Sequence, residues 1–212
     1  MAMNLNLFST PLSHQAGKYP ALANRVTDLI LNYQKDEHRN PNSPQTMHDG
    51  LFESRFDFLK WEMPVVQELK ETLLNDLFYF LLQVSGLTKE QLQGIRFDYE
   101  SWFHVANNGA YFQPHTHPNH AWSMVFCASA GDFQPENAHE SGKLLFLDPR
   151  LGAAMYLDQS NKEMHRPYSF NGFKVTLEPG SVVIFPSYLQ HAVEPYRGSK
   201  PRITVATNFR FF

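Results

Sequence analysis

Apolar residues recur with two different periods along this chain, and the change falls near residue 95. Before it, YPALANRVTDLILNYQKD (19–36) places Leu22, Val26, Leu29, Ile30 and Tyr33 at helical spacing among polar residues. The next stretch, EHRNPNSPQTMHDG, is dense in turn formers and reads as a loop. MPVVQELKETLLNDLFYFLLQVSG (63–86) predicts a stronger helix, opened by Pro64 and closed by Gly86. Its apolar positions run almost all the way round near its end, so it should lie sandwiched between other elements. LTKEQLQG (87–94) has Thr88 as N-cap and Gln91 three residues on, the pattern of a short capped helix.

From residue 95 the chain breaks into short runs rich in β-branched and aromatic residues: IRFDYESWFHVA, AWSMVFCA, KLLFLD, KVTLEPGSVVIFP and RITVATNFRF. Many short strands bounded by Gly, Pro and Asn argue for an antiparallel sandwich or barrel. The expected fold is therefore mainly β, a jelly-roll core with N-terminal helices packed on one outer face. One domain is expected, helical over about 1–94 and β over about 95–212. Residues 155–172 are the least regular and are a candidate lid or binding loop.

Composition narrows the function. The charged fraction is 18%, the net charge is −3 and no basic stripe is present, so nucleic acid is not an expected partner. No apolar run reaches the roughly 18 residues a membrane span requires, and the first residues lack the pattern of a signal peptide. The one cysteine, Cys127, cannot form an internal disulfide and fits a reducing cytoplasm, where it should be a small buried hydrophobe.

The candidate chemistry centres on QPHTHPNH (113–120), which carries three of the ten histidines. If residues 111–117 are extended, Gln113, His115 and His117 share a face and two imidazoles converge. Alone, the pair reads better as a polar loop with exposed histidines. Far downstream, VVIFPSYLQHAVEP ends an apolar strand, turns, and places His191 at the start of the next strand. In PRITVATNFRF, Ile203, Val205, Thr207 and Phe209 take one face, and Arg202, Thr204, Ala206 and Asn208 the other. An arginine inside a barrel is costly unless an anion meets it, and a guanidinium suits a carboxylate because it donates two parallel hydrogen bonds.

Two histidines on one strand, a third about seventy residues on, and an arginine followed by a hydroxyl residue resemble the Fe(II)- and 2-oxoglutarate-dependent oxygenases. Gly109, Phe112, Pro114, His115 and His117 of NNGAYFQPHTH resemble the prolyl-hydroxylase-like members. LFSTPL, HTHPNHAWSMVF, LLFLDPR, PGSVVIFPSYLQHAVEP and RITVATNF resemble a family of bacterial and phage 2-oxoglutarate–Fe(II) oxygenases. The resemblance implies a double-stranded β-helix core, with Fe(II), 2-oxoglutarate and O2 as cofactor and cosubstrates. It implies that His115 and His191 hold iron, and that Arg202 and Thr204 bind the distal carboxylate of 2-oxoglutarate. Decarboxylation to succinate and CO2 would then drive oxidation, most often hydroxylation, of an amino acid, peptide or other small molecule.

His117 stands where the superfamily usually has aspartate. It can ligate as a third histidine, which its alternation with His115 favours. It can also stand aside, or a carboxylate from elsewhere (Asp132, Glu136 or Asp148) can complete the shell. Trp102, His104, Ser123 and Asn208 are candidate pocket groups. His120 is expected beside the ligands or in solvent, and His139 and His165 in solvent. Two other readings remain open: a cupin-like three-histidine enzyme that does not use 2-oxoglutarate, and a non-catalytic jelly-roll binding or sensor protein. The loops around 38–56, 130–142 and 155–172 should set specificity.

Overall fold

In a computed structural model, residues 5–42, 50–132, 140–150, 152–166, 168–170 and 172–212 are described. The N-terminal part comprises Ser13–Gln15 (β1), Pro20–Tyr33 (α1), Leu51–Glu53 (β2), Pro64–Val84 (α2) and Lys89–Gly94 (α3). Next come Phe97–Ala106 (β3), Phe112–His115 (β4), Trp122–Ser129 (β5), Leu144–Phe146 (β6) and Phe173–Val175 (β7). Val182–Pro186 (β8), His191–Val193 (β9) and Arg202–Phe211 (β10) complete the series. These strands form two antiparallel sheets, ordered β1-β8-β5-β10-β3-β2 and β4-β9-β6-β7.

The helices follow from local signals. Proline opens both α1 and α2, where its missing N–H costs nothing. The capping box on α3 is formed: Thr88 Oγ1 accepts from the Gln91 amide at 3.2 Å, and the Thr88 amide donates to Gln91 Oε1 at 2.8 Å. Leu22, Val26 and Ile30 of α1 and Val66, Leu69, Leu73 and Leu77 of α2 pack on one face of the larger sheet. That face is built from Phe103 and Val105, Met124 and Phe126, Val182 and Ile184, and Ile203, Val205 and Phe209. The intervening residues point the other way. Cys127, Val183 and Phe185 meet Leu144, Phe146 and Val175 of the smaller sheet in a second buried cluster. Burial pushes the Cys127 thiol up to about 11.

Two features depart from the sequence reading. The N-terminal part is not purely helical, because β1 pairs with β8 and β2 with β3 as the outer strands of the larger sheet. Each is three residues long, too short for a period to register. Strand β4 also ends at His115 and shifts register against β9 between Phe112 and His115. Pro114 has no N–H for a ladder and sits on the edge strand of its sheet, where proline is tolerated. The shift turns Phe112 inward in place of Gln113, which is exposed.

Leu77 is fully buried between α2 and the sheet. Leu77→Ala should lower unfolding free energy by about 2–5 kcal/mol in equilibrium denaturation, without changing the residues that line the inter-sheet cavity.

Candidate functional site

Between the sheets lies a partly open cavity of about 50 Å³ of water-accessible space. Strand β10 lines it with Arg202, Thr204, Ala206 and Asn208, the face that alternation assigns to the interior. Every other candidate also borders it: His115, His117, His191, Trp102, His104 and Ser123. Phe112, Val125, Leu144, Phe185 and Val193 make the walls between them apolar.

Strand pairing assembles the histidines. His115 and His191 are direct partners across β4 and β9, with ring centroids 4.4 Å apart. His117 lies beyond the strand, where its backbone N–H donates to the Ser187 carbonyl at 3.1 Å. Its ring sits 5.1 Å from both of the others. One ligand atom from each of the three lies within 4.8 Å of the others, so they can hold a metal ion.

The protonation pattern suits a metal. Nδ1 of His115 lies 2.7 Å from the Gln113 carbonyl, and Nδ1 of His191 lies 2.9 Å from the Leu189 carbonyl. A carbonyl only accepts, so each Nδ1 carries the proton and Nε2 keeps its lone pair for the cavity. Burial, reinforced by His191 and His115, holds His117 down at about 3. Burial and the neighbouring His115 hold His191 at about 4, against the opposing pull of the Leu189 carbonyl. Burial also lowers His115, opposed by the Gln113 carbonyl. At neutral pH all three are therefore uncharged donors, the form a metal requires.

Arg202 lines the cavity at the start of β10, 5% exposed, with its backbone paired to Ala106. No carboxylate or hydrogen-bond acceptor meets its guanidinium among the described residues, and burial lowers its affinity for a proton. Gly142 packs closely against the arginine stem: at φ +62, a Cβ there would lie 3.0 Å from Arg202 Cδ. Thr204 is buried on the same face of β10.

Neither described candidate for a carboxylate ligand reaches the histidines. Asp132 accepts from the backbone amides of Ser199 and Lys200, and Asp148 forms a bidentate pair with Arg150. Glu136 and His139 lie outside the described residues. The sequence reading missed Glu53 on β2, a buried carboxylate that contacts His104 Nε2 at 2.9 Å and accepts from Asn40 at 2.6 Å. Its only signal was an acidic residue in LFES, which spacing does not link to the site. Glu53 acts on His115 through its charge, not as a ligand. Trp102 Nε1 lies 3.0 Å from the same His104 nitrogen, so these three make one polar wall. His120 is at the rim, 3.8 Å from Glu100, and His165 is exposed.

Comparison with solved structures adds the fold's relatives. A Pseudomonas putida prolyl-4-hydroxylase is 20% identical, covers 95% of this chain and 92% of its own, and superposes with a TM-score of 0.63. A Trichoplax adhaerens prolyl hydroxylase, in complex with a hypoxia inducible factor peptide fragment, is 10% identical over 94% and 83% of the two chains, with a TM-score of 0.60. HygX from Streptomyces hygroscopicus, with nickel, 2-oxoglutarate and hygromycin B bound, is 12% identical over 95% and 83%, with a TM-score of 0.56. These likenesses identify the β architecture as the double-stranded β-helix fold. No curated protein matches. The family model described as "Putative 2OG-Fe(II) oxygenase" matches residues 100–208, a span that holds the three histidines, Arg202 and Asn208. The chain therefore belongs to the 2OG-Fe(II) oxygenase family, enzymes that use Fe(II), 2-oxoglutarate and O2.

Proposed function

We propose that this oxygenase hydroxylates a C–H bond of an amino acid, peptide or other small molecule. One O2 and one 2-oxoglutarate would be consumed per turnover, with one oxygen atom entering the product alcohol and the other entering succinate as CO2 leaves. His115, His117 and His191 hold Fe(II), and Arg202 with Thr204 holds the distal carboxylate of 2-oxoglutarate. The observation that carries this reading is Arg202. A buried guanidinium without a protein counter-ion is stable only if an anion arrives to pair with it.

Register supports the division of labour. The Trp102 ring lies 5.8 Å from that of His117, and Trp102 pairs with Ala206. The Phe185 ring lies 4.8 Å from that of His191, and Phe185 pairs with Ser123 beside Asn208. The histidines therefore lie level with the stretch from Ala206 to Asn208. Arg202 is four or more residues away on the same strand, about 13 Å or more at the rise of a β-strand. A five-carbon dicarboxylate and the arginine side chain together cover that span. Thr204, midway, directs a hydroxyl towards it. Fe(II), when bound, supplies the activation of O2 that couples decarboxylation to oxidation of the substrate. The chain itself orients both reactants, and its apolar walls exclude water. A cupin-like enzyme without 2-oxoglutarate has no use for the unpaired Arg202.

Two measurements test this. Titrated anaerobically with Fe(II) and 2-oxoglutarate, the protein should develop the weak visible charge-transfer band of the chelate. Arg202→Ala should weaken 2-oxoglutarate binding by about 100-fold or more, the scale for truncating one partner of a buried charge pair. No band, or unchanged affinity in the variant, contradicts the reading. In calorimetric titration with Ni(II), His115→Ala and His191→Ala should each lose more than the roughly 10–100-fold that outer partners of a ligand cost. His117→Ala should lose comparably and His117→Asp should restore binding, whereas wild-type affinity in His117→Ala would remove it from the ligand set.

A further inference from the structure

The opposite end of the cavity holds a second buried polar group with an unmet demand. Asn208 is 3% exposed and pairs with Ser123 on β5 and Glu100 on β3. Its Oδ1 accepts from Ser123 Oγ at 2.8 Å, and Ser123 Oγ lies 2.8 Å from Ser187 Oγ. The direction of this chain is fixed by counting hydroxyl protons. If Ser187 donates to Ser123 and Ser123 to Asn208, both protons are used. If Asn208 Nδ2 donated instead and the chain ran the other way, the Ser187 proton would have no acceptor among the described residues. Ser187 is wholly buried, so that stranded proton would be expensive. The carbonyl of Asn208 therefore faces Ser123, and its NH2 faces the cavity, where no described residue accepts from it.

Position gives the amide its role. Asn208 is six residues, about 20 Å, from Arg202 along the strand, and it stands beside the histidines: its partner Ser123 pairs with Phe185, whose ring is 4.8 Å from that of His191. Its cross-strand partner Glu100 is exposed. Glu100 is also 3.8 Å from His120. A donor pair and a carboxylate thus sit at paired positions of neighbouring strands, next to the histidines.

We propose that Asn208 Nδ2 donates to an oxygen of the substrate while Glu100 accepts from a neighbouring N–H. The substrate class is then one presenting a carbonyl or carboxylate oxygen beside nitrogen: a free amino acid or a peptide amide. This deepens the oxygenase reading and rests on it. Ser123 and Ser187 are positioning residues that set which way the amide faces.

The test uses the anaerobic Fe(II)–2-oxoglutarate complex, with the twenty L-amino acids in one arm and their N-acetyl amides in the other. A perturbation of the charge-transfer band reports binding apart from turnover. At least one arm should contain a compound that shifts the band, and the arm distinguishes a free amino acid from a peptide. For the tightest compound, Asn208→Ala should weaken the dissociation constant about tenfold. Its 2-oxoglutarate affinity should stay within about twofold, because the two ends are well separated. Ser123→Ala should weaken the same compound by a smaller factor, and it decides the matter if Asn208→Ala does not fold. Glu100→Gln should cost affinity for a free ammonium and spare an N-acetyl amide. If no compound shifts the wild-type band, or if Asn208→Ala or Ser123→Ala binds the best one as wild type does, the proposal fails. A wild-type band that never forms overturns the oxygenase reading instead.

Discussion

A guanidinium buried without a counter-ion organises this molecule. Arg202 lines the cavity between two sheets, and no carboxylate among the described residues meets it. Such a group destabilises the protein until an anion pairs with it, so its presence marks a ligand site. Three uncharged imidazoles line the same cavity towards the other end of the strand. In the proposed function a dianionic 2-oxo acid meets both demands at once: one carboxylate for Arg202, and an oxo-acid end for a cation that the histidines do not neutralise.

Strand β10 makes this possible because its two faces have opposite tasks. Ile203, Val205 and Phe209 bury against α1, α2 and their neighbours, so the strand cannot slip by one residue without driving Arg202 and Asn208 into the helical core. The apolar face thereby fixes the polar one. Order along the strand then becomes order along the cavity wall: guanidinium, hydroxyl, the small Ala206, amide.

How much was legible in the sequence depends on the range of the signal. Proline starts, the Thr88–Gln91 box and the alternation of RITVATNFRF are local, and each is realised in the structure. The convergence of His115 and His117 was expected for a partly wrong reason. Regular alternation does not survive Pro114, and His117 is brought inward by the Ser187 carbonyl beyond the strand's end. Glu53 and Ser187 carried no signal because their partners lie 51 and 64 residues away in the chain. Strands β1 and β2 were equally silent, being defined by what they pair with more than by their own residues.

No helix among the described residues is long and apolar enough to cross a membrane. The most direct examination of Arg202 is a crystal structure of the protein grown anaerobically with Ni(II) and 2-oxoglutarate. It should show one carboxylate of the ligand paired with the Arg202 guanidinium beside Thr204, and the other end on a metal held by His115, His117 and His191. A bound 2-oxoglutarate that leaves Arg202 unpaired, or a metal held elsewhere, would contradict that arrangement.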